Sequence, residues 1–507
     1  MAMDSDDEDF LDTASNSSVK SLLLPSKQAK KRPFQVRYVF VILGFLGFNI
    51  LYSLRVNLSV AIVSMVNMSG NSSETNVKTE CYNHDYQDGS NLTLVSSLEN
   101  REGFQWDSTV QSYVLGSFFI GYVIPQIPAG QLAEKFGSKR ILATSILMAS
   151  IFTLLGPMAA RIHYSVFIVC RIFTGLSEGV FFPSMHAMVA KWLPKSERSF
   201  LTSIIYSGSQ IGTMLTMAAT GYLNSWTLFG GWPAAFYIFG MFGLVWFVLW
   251  TMFVYETPQD HPSISPEELA LITAGQAPLQ INKSSKTPWG SILSSSAVWA
   301  IVIAHFGQNW GFYTLLFELP TYLKTILGLD IKQNGLISGM PYLLQAGTGW
   351  ISGYFLDRQI SGGRMSVTAV RKFSNTIGLI GPALCVIGLT FAKCDYAWSV
   401  VMLFLAMALN GFTYSGFNIN HVDIAPDYAG TLMGITNCIA NFAGILAPAY
   451  VGVVLQDEIS LKRWSYIFYT SAMIYTVTSA FFVFLGTAEL QPWGLARSKP
   501  SKVASTA

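Results

Sequence analysis

Long apolar stretches alternate with short polar segments along almost the whole chain. Each stretch reaches the roughly 20 residues that an α-helix needs to cross a bilayer. The pattern predicts twelve spanning helices in two sets of six. The first set covers residues 38–66, 107–134, 138–160, 162–192, 199–223 and 232–255. The second set covers residues 294–327, 334–357, 372–393, 397–424, 428–455 and 464–487.

A polar segment separates the two sets. Within it, Ser265-Pro266-Glu267-Glu268 has the order of an N-cap, a first-turn proline and acids that suit a helix N-terminus. We therefore predict an all-α membrane protein made of two six-helix bundles joined by a cytosolic linker that holds a short helix. The predicted bounds are a disordered tail at 1–36, bundles at 37–255 and 291–488, the linker at 256–290 and a second tail at 489–507.

Composition supports a membrane protein and argues against an enzyme. Only 12% of the 507 residues are charged and 51% are hydrophobic, whereas a soluble domain carries about 25% charged residues. The net charge of +2 is too small to indicate a nucleic-acid partner. The sequence has no Gly-rich phosphate loop, Cys-x-x-Cys pair or His-Glu-x-x-His motif. We therefore predict no catalytic site, no cofactor and no metal, and a lipid bilayer as the surroundings.

Lys and Arg residues are concentrated in every second loop. Because cytosolic loops carry an excess of these residues, the basic loops and both termini are predicted to be cytosolic. The basic residues in question are Lys135, Lys139, Arg140, Lys191, Lys195, Arg198, Arg358, Arg364, Arg371 and Lys372.

The polar loop 67–106 falls on the opposite side of the predicted membrane. It contains three Asn-x-Ser/Thr acceptors for N-glycosylation, at Asn67, Asn71 and Asn91, which is typical of a lumenal or extracellular loop. Cys81 in this loop and Cys394 are predicted to share that side. A disulfide between them and two unpaired thiols are both open alternatives.

A weak internal repeat relates the two halves. Residues 130–140 (GQLAEKFGSKR) follow the second span, and residues 353–358 (GYFLDR) follow the eighth. In both segments a glycine is followed four residues later by an acid and then a base. Repeated halves related by an axis along the membrane normal are a known plan of secondary transporters.

Residues 130–140 also resemble the loop signature of the major facilitator superfamily, with Glu134 where the superfamily usually has Asp. The resemblance implies the major facilitator fold and a gate in which acids and bases pair when the cytosolic side is closed. The gating residues that it implies are Gly130, Glu134, Gly137, Lys139 and Arg140, with Asp357 and Arg358 as their counterparts in the second half.

Four longer segments narrow the resemblance. They are residues 52–59 (YSLRVNLS), 116–122 (GSFFIGY), 175–186 (GLSEGVFFPSMH) and 420–430 (NHVDIAPDYAG). All four are similar to the anion–cation symporter family, the group that contains sialin and the vesicular glutamate transporters.

Within that group the chain is most similar to sialin. The vesicular glutamate transporters have a His at the position of Leu115 and an Arg at the position of Gln308, and sialin lacks both. Thr174 is a departure, since sialin has an acid there. The resemblance implies transport of a small organic anion.

Ionisable residues inside a predicted span are expensive and therefore suggest function. Arg55 and Arg171 are predicted to bind the substrate carboxylate, which a guanidinium holds with two hydrogen bonds. Glu178 lies seven residues after Arg171, or about 10 Å along a helix, and is the predicted proton carrier. His186 is the second candidate for proton coupling because His titrates near working pH. The alternative for the arginines and Glu178 is a permanent brace between helices.

Uncharged polar residues in other spans are predicted to line the same cavity. These hydrogen-bonding candidates for substrate contact are Tyr122, Gln308, Asn309, Tyr313, Asn437 and Asn441. His305 is more readily interpreted as structural. A cluster at the cytosolic end of the tenth span, Asn420, His421, Asp423 and Asp427, is predicted to be an interhelical latch.

These observations favour a monomeric proton-coupled symporter of small organic anions that works by alternating access. The first candidate substrate is sialic acid or a similar acidic sugar, and acidic amino acids are further candidates. The predicted site is a lysosomal or other acidic vesicle membrane, with the plasma membrane as the alternative. The alternatives in function are a sodium- or potential-driven transporter of phosphate, glutamate or aspartate, and a channel or receptor on the same scaffold.

Overall fold

The computed structural model describes residues 35–66, 103–106, 108–223, 231–274, 287–327, 331–455 and 460–495. Regular structure in these ranges is helical apart from one β-bridge between Val66 and Phe104. The glycosylation acceptors Asn67, Asn71 and Asn91 lie outside the described residues, as do most of both predicted tails.

The described residues of the first half form eight helices. Breaks at Ile124–Pro125 and at Val180 divide two of the predicted spans into two helices each. The helices are α1 (Val36–Met65), α2 (Ser108–Val123), α3 (Gln126–Phe136), α4 (Ser138–Ile162), α5 (Tyr164–Gly179), α6 (Phe181–Trp192), α7 (Arg198–Leu223) and α8 (Pro233–Phe253).

The linker contains a 3-10 turn at Pro258–Asp260 and the predicted short helix α9 (Pro266–Thr273). The Ser265 side chain accepts a hydrogen bond from the Glu268 backbone N–H at 3.1 Å, so the N-cap is formed as the sequence indicates. The Glu268 carboxylate accepts hydrogen bonds from the backbone N–H groups of Val36 (3.1 Å) and Arg37 (2.9 Å). The linker helix is therefore anchored to the start of α1.

The second half repeats the plan. Two of its long stretches are broken, one by a 3-10 turn at Gly411–Tyr414 and the other at Phe442. Its helices are α10 (Trp289–Leu293), α11 (Ser296–Thr325), α12 (Ile331–Ser361), α13 (Val367–Thr390), α14 (Tyr396–Asn410), α15 (Phe417–Ile424), α16 (Ala429–Asn441), α17 (Ala443–Leu455) and α18 (Leu461–Leu485).

Eight helical stretches in the described part of the chain are long and apolar enough to cross a membrane. The number is nine if α2 and α3, bent by 41°, form one span. Helices α7, α11 and α12 have 26, 30 and 31 residues but fall outside this apolar set. Helix α7 is less apolar because it contains many Ser, Thr and Gln residues. Their side chains are buried against protein, which explains how a long helix can contain them. Twelve membrane crossings stay a prediction, while the all-helical fold is confirmed.

The largest apolar cluster of each half is built mainly from that half. In the first half, Phe48, Phe181, Ile205 and Trp246 are buried together where α1, α6, α7 and α8 meet. In the second half, a separate cluster joins α11, α13, α14 and α18. The first cluster also takes in Tyr414, Ile419, Val422 and Ala429 of the second half, so apolar packing continues across the contact between the halves.

Cys394 is disulfide-bonded, whereas Cys170, Cys385 and Cys438 are free thiols. Cys81 lies outside the described residues. The sequence left open either a disulfide between Cys81 and Cys394 or two unpaired thiols. The second alternative is wrong for Cys394.

The bundles touch closely at one end, which we call the basic end because Lys135, Lys195 and Arg358 lie there. Here α3 crosses α16 so closely that a β-carbon on Gly130 would lie 2.4 Å from the Gly430 carbonyl oxygen. On the other side, a β-carbon on Gly353 of α12 would lie 2.8 Å from the Phe200 Cα of α7. Small residues permit this approach of backbones. The two glycines of the sequence repeat therefore hold equivalent positions, and each contacts the opposite bundle.

Replacing Gly353 with valine is expected to slow the transport that the sequence predicts about 5- to 100-fold, since overpacking typically costs 1–3 kcal/mol and 1.4 kcal/mol is tenfold. The matched control is Gly347→Val in the same helix, because a β-carbon there meets nothing within 4 Å. Initial rates of uptake, normalised to protein in the membrane, check the comparison. Equal rates for the two variants would show that closure at the basic end does not need this crossing.

Candidate functional site

A cavity lies between the two bundles near the middle of the helices. The six predicted hydrogen-bonding residues all line it. Side chains of α1, α2, α6 and α7 meet those of the second half there. The lining residues are Tyr52, Tyr122, Phe182, Tyr206, Ser209, Gln210, His305, Gln308, Asn309, Phe312, Tyr313, Thr413, Tyr414, Asn418, Met433, Asn437 and Asn441.

Arg55 lies directly behind the aromatic wall of this cavity. Its guanidinium carbon is 4.3 Å from the ring centroid of Tyr122, 4.9 Å from that of Tyr52 and 4.6 Å from that of Phe118. Such stacking stabilises a desolvated cation. Its Nη2 has no hydrogen-bond partner among the described residues. The side chain therefore keeps one donor nitrogen without a partner. The rings of Tyr52 and Tyr122, which line the cavity, stack on the same guanidinium.

Glu178 is the acid that pairs with Arg55. The Arg55 Nε lies 3.4 Å from the Glu178 Oε2, and the side-chain exposures are 10% and 0%. Within the described part of the chain the other carboxylate oxygen, Oε1, has no hydrogen-bond partner. This ion pair joins α1 to α5 and leaves hydrogen-bonding capacity on both partners.

The side chain of Arg171 contacts the backbone of α1. It donates to the carbonyl oxygens of Leu54 (3.4 Å) and Arg55 (3.3 Å). Its guanidinium carbon is 5.2 Å from the Phe118 ring, on which Arg55 also stacks. Arg171 is thus placed to hold the backbone of Arg55, while Glu178 forms its ion pair with Arg55.

The polar wall from the second half is hydrogen-bonded within itself. The Tyr313 hydroxyl donates to Asn441 Oδ1 at 2.7 Å, and Asn441 Nδ2 donates to the Asn437 carbonyl oxygen at 2.7 Å. Gln308 Nε2 donates to Asn410 Oδ1 at 3.2 Å. Asn437 Nδ2, among the residues the structure describes, has no partner. These hydrogen bonds connect the side chains of the wall, and Asn437 offers an amide N–H to the cavity.

The predicted gating residues differ in whether they contact the opposite bundle. Asp357 accepts a hydrogen bond from the Phe200 backbone N–H at 2.9 Å, so a carboxylate of one bundle caps a helix of the other. Arg140 and Arg358 are exposed instead. The Glu134 side chain lies outside what is described.

Gly137 and Lys139 contact Glu256, which the sequence analysis missed. The Glu256 carboxylate accepts from the backbone N–H groups of Ser138 (3.0 Å) and Lys139 (2.8 Å) and pairs with Lys191 at 2.5 Å. Helix α4 has no acid of its own in its first turn, and Glu256 supplies one from the end of α8. Gly137 has a φ of +96°, which a side chain would strain.

The predicted latch also crosses between the bundles. Arg371 donates to Asp423 Oδ2 at 2.7 Å and to the Ser199 hydroxyl at 2.8 Å. Arg198 of the first bundle lies 3.8 Å from Asp423 Oδ1. In the sequence, Arg198 and Arg371 indicate only the orientation of the chain in the membrane. Residues so far apart along the chain have no local pattern that indicates their contacts with Asp423.

Glu318 is a second acid that the sequence analysis missed. It lies in α11, half-buried, near Tyr322 and Trp464 in a small pocket within the second bundle. Tyr322 Oη and Trp464 Nε1 have no hydrogen-bond partner in the described ranges. The sequence does contain a signal for this residue, because Glu318 is an acid within the apolar stretch 294–327.

Comparisons with known proteins agree with this architecture. The profile of the Major Facilitator Superfamily matches residues 85–448. Among solved structures, the proton:xylose symporter XylE superposes with a TM-score of 0.68 at 13% identity, covering 90% of this chain and 97% of that one. At that identity the likeness shows the fold alone.

Curated relatives are much closer in sequence. Homo sapiens sialin is 40% identical over 482 residues, covering 94% of this chain and 95% of its own. A putative inorganic phosphate cotransporter of Drosophila melanogaster is 40% identical over 476 residues, covering 92% and 88%. Homo sapiens vesicular glutamate transporter 2 is 35% identical over 463 residues, covering 90% and 75%. The chain belongs to the Major Facilitator Superfamily, in the group of sialin, the vesicular glutamate transporters and the phosphate cotransporters.

Proposed function

We propose that the chain is a proton-coupled secondary transporter of small organic anions, with sialic acid or a similar acidic sugar leading and acidic amino acids next. The observation that carries this proposal is Arg55, a buried cation with a free donor nitrogen behind the wall of the cavity between the bundles. A substrate carboxylate that displaces Tyr52 or Tyr122 from the guanidinium would gain charge-assisted hydrogen bonds.

The charge around Arg55 suits a monoanion. Arg55 and Arg171 carry two positive charges, and Glu178 carries one negative charge when ionised. The cluster is therefore left with one net positive charge, which a single carboxylate neutralises. An uncompensated buried charge is unfavourable, so a substrate with one negative charge suits the site while Glu178 is ionised. One net positive charge returns when Glu178 takes up a proton.

The rest of the cavity suits a substrate that is rich in hydroxyl groups. Its polar lining from the second bundle consists of amides, phenols, one imidazole and the Thr413 hydroxyl. Neutral donors and acceptors recognise hydroxyls, and a site built for them rejects analogues that lack them. This lining favours an acidic sugar over a simple fatty or aromatic acid.

Glu178 is the proposed proton carrier. Substrate and Glu178 compete for the same guanidinium, because Arg55 is the ion-pair partner of that carboxylate. When the substrate carboxylate occupies Arg55, Glu178 loses its counterion, and a fully buried carboxylate without one takes up a proton. Binding of the anion and of the proton is thereby coupled.

The second candidate is sodium- or potential-driven transport of phosphate, favoured by the 40% identity to a putative inorganic phosphate cotransporter. Phosphate near neutral pH carries more than one negative charge, which the Arg55 cluster balances only when Glu178 is protonated. Sodium dependence of uptake separates the two candidates.

The proposal includes a topology and a location. All twelve long helical stretches would cross the membrane, with the basic end in the cytosol and the loop 67–106 glycosylated in the lumen. The two bundles would rock about the cavity to expose it alternately to the two sides. We place the protein, as a monomer, in a lysosomal or other acidic vesicle membrane.

Uptake of a panel of labelled anions into proteoliposomes tests the substrate class. With an inward proton gradient, we expect saturable uptake of sialic acid or glucuronate above that of phosphate and glutamate, unchanged when sodium is replaced by choline. Uptake confined to phosphate and dependent on sodium would favour the second candidate. Conductance without saturation would indicate a channel.

A further inference from the structure

Three buried histidines form a chain of hydrogen bonds that crosses from one bundle to the other. His186 of α6 contacts the Asn418 carbonyl oxygen through Nε2 at 3.0 Å, and His421 of α15 contacts the same oxygen through Nδ1 at 2.9 Å. The two rings are 5.3 Å apart, edge to face. His186 belongs to the first bundle and His421 to the second, so the pair is part of the interface that closes the basic end.

The chain continues to the central cavity on both sides of the pair. The Tyr206 hydroxyl is hydrogen-bonded to His186 Nδ1. The Thr436 hydroxyl lies 2.8 Å from His421 Nε2 and 3.3 Å from His305 Nδ1. Tyr206 and His305 both line the cavity, so protons from the cavity have a hydrogen-bonded route to the pair.

These contacts fix the proton positions of both rings. A carbonyl oxygen only accepts, so His186 Nε2 and His421 Nδ1 must each carry a hydrogen. In the neutral rings the other nitrogens then accept, from the Tyr206 hydroxyl and from the Thr436 hydroxyl. Every group in the chain is satisfied with both histidines uncharged.

A charged ring has no counterion in this arrangement. His186 and His421 are completely buried. Within the described ranges, most acids on the elements packed around them are already ion-paired: Glu178 with Arg55, Glu256 with Lys191, and Asp423 with Arg198 and Arg371. Asp427, in the turn Pro426–Tyr428 beside both helices, has a partner of its own. The other charged groups on these elements include Lys135, Lys139, Arg140, Arg171 and Lys372, which are cations and offer a charged ring no counterion. Glu318 of α11 lies 13 residues beyond His305, or about 20 Å along the helix. A proton on either ring would be a buried, unpaired charge until water reaches it.

We propose that His186 and His421, joined through the Asn418 carbonyl, form a proton-binding site that is empty when the basic end is closed and occupied when it opens. Water reaches the rings only if the two bundles separate, so protonation shifts the equilibrium towards the open basic end. The use of this shift in transport rests on the proposed function, whereas the proton-dependent separation of the bundles does not.

Spin-label distances across the basic end test the site without substrate. Lys195 of the first bundle and Arg364 of the second are both exposed and are replaced by labelled cysteines, after Cys170, Cys385 and Cys438 are changed to serine. On lowering the pH from neutral to about 5, the range in which histidine titrates, we expect a longer distance to appear and grow.

His186→Gln and His421→Gln should each remove this response, because glutamine donates and accepts hydrogen bonds but takes up no proton. His163→Gln is the matched control, since His163 is exposed at the start of α5, and it should respond like the unmodified protein. No pH response in the unmodified protein, or a response that persists in both the His186 and His421 variants, would overturn the site.

A second measurement decides the question if those variants do not fold. Histidine 15N spectra of the unmodified protein should show, at neutral pH, neutral rings with hydrogen on His186 Nε2 and His421 Nδ1. Both signals should change to the charged form in step with the long distance. A charged ring while the short distance predominates would overturn the proposal.

Discussion

Replacing Arg55 with lysine is expected to raise the KM of anion uptake about 10- to 100-fold. Losing a hydrogen bond to a charged group costs roughly 1.5–3 kcal/mol, and 1.4 kcal/mol is tenfold. An ammonium cannot stack on the rings of Tyr52 and Tyr122 while presenting a planar pair of donors. Concentration dependence of initial uptake in proteoliposomes measures the effect, and the amount of reconstituted protein should be unchanged.

The matched control for this substitution is Arg161→Lys, because Arg161 is exposed at the end of α4 and has no place in the cavity or the gate. Arg171→Lys should also weaken uptake, since Arg171 holds the carbonyl oxygens of Leu54 and Arg55. A normal KM in both the Arg55 and Arg171 variants would rule out the carboxylate clamp.

Replacing Glu178 with glutamine should separate two activities that normally go together. The amide resembles the protonated acid, so substrate exchange, which needs no net release of a proton, should survive. Net accumulation driven by a pH gradient should be lost. Exchange and gradient-driven uptake measured in the same liposomes give the comparison, with the exposed linker residue changed by Glu267→Gln as the control.

A structural brace makes a different prediction for the same variant. Glutamine would leave Arg55 buried without its anionic partner, so folding, binding and exchange should fall together. If Glu178→Gln still concentrates substrate on a proton gradient, the proton carrier lies elsewhere, and the His186–His421 site is the next to test.

The sequence singled out Arg55 and Glu178 as candidate site residues but did not indicate that they pair with each other. Arg55 and Glu178 stand out because a charge in an apolar stretch is expensive. Helical spacing, however, relates residues of one helix only, and so it suggested Arg171 as the neighbour of Glu178. The ion pair with Arg55 joins residues 123 positions apart, which no local pattern can reveal.

The same distinction holds for the basic end. The repeat identified Gly130 and Gly353, and both lie where the bundles cross. Glu256 was missed because it caps a helix that begins 118 residues earlier. Helix α7 was predicted by length, but its polar side chains are explained only by burial against protein, a property of the assembled bundles.

Simultaneous recording of proton and substrate entry into the same proteoliposomes is the most direct test of proton-coupled anion transport through the Arg55–Glu178 site. With no imposed gradient, adding a saturating acidic sugar outside should acidify the lumen as the sugar enters, and Glu178→Gln should abolish the acidification while exchange continues. Sugar entry without proton entry, or proton entry that persists in Glu178→Gln, would contradict it.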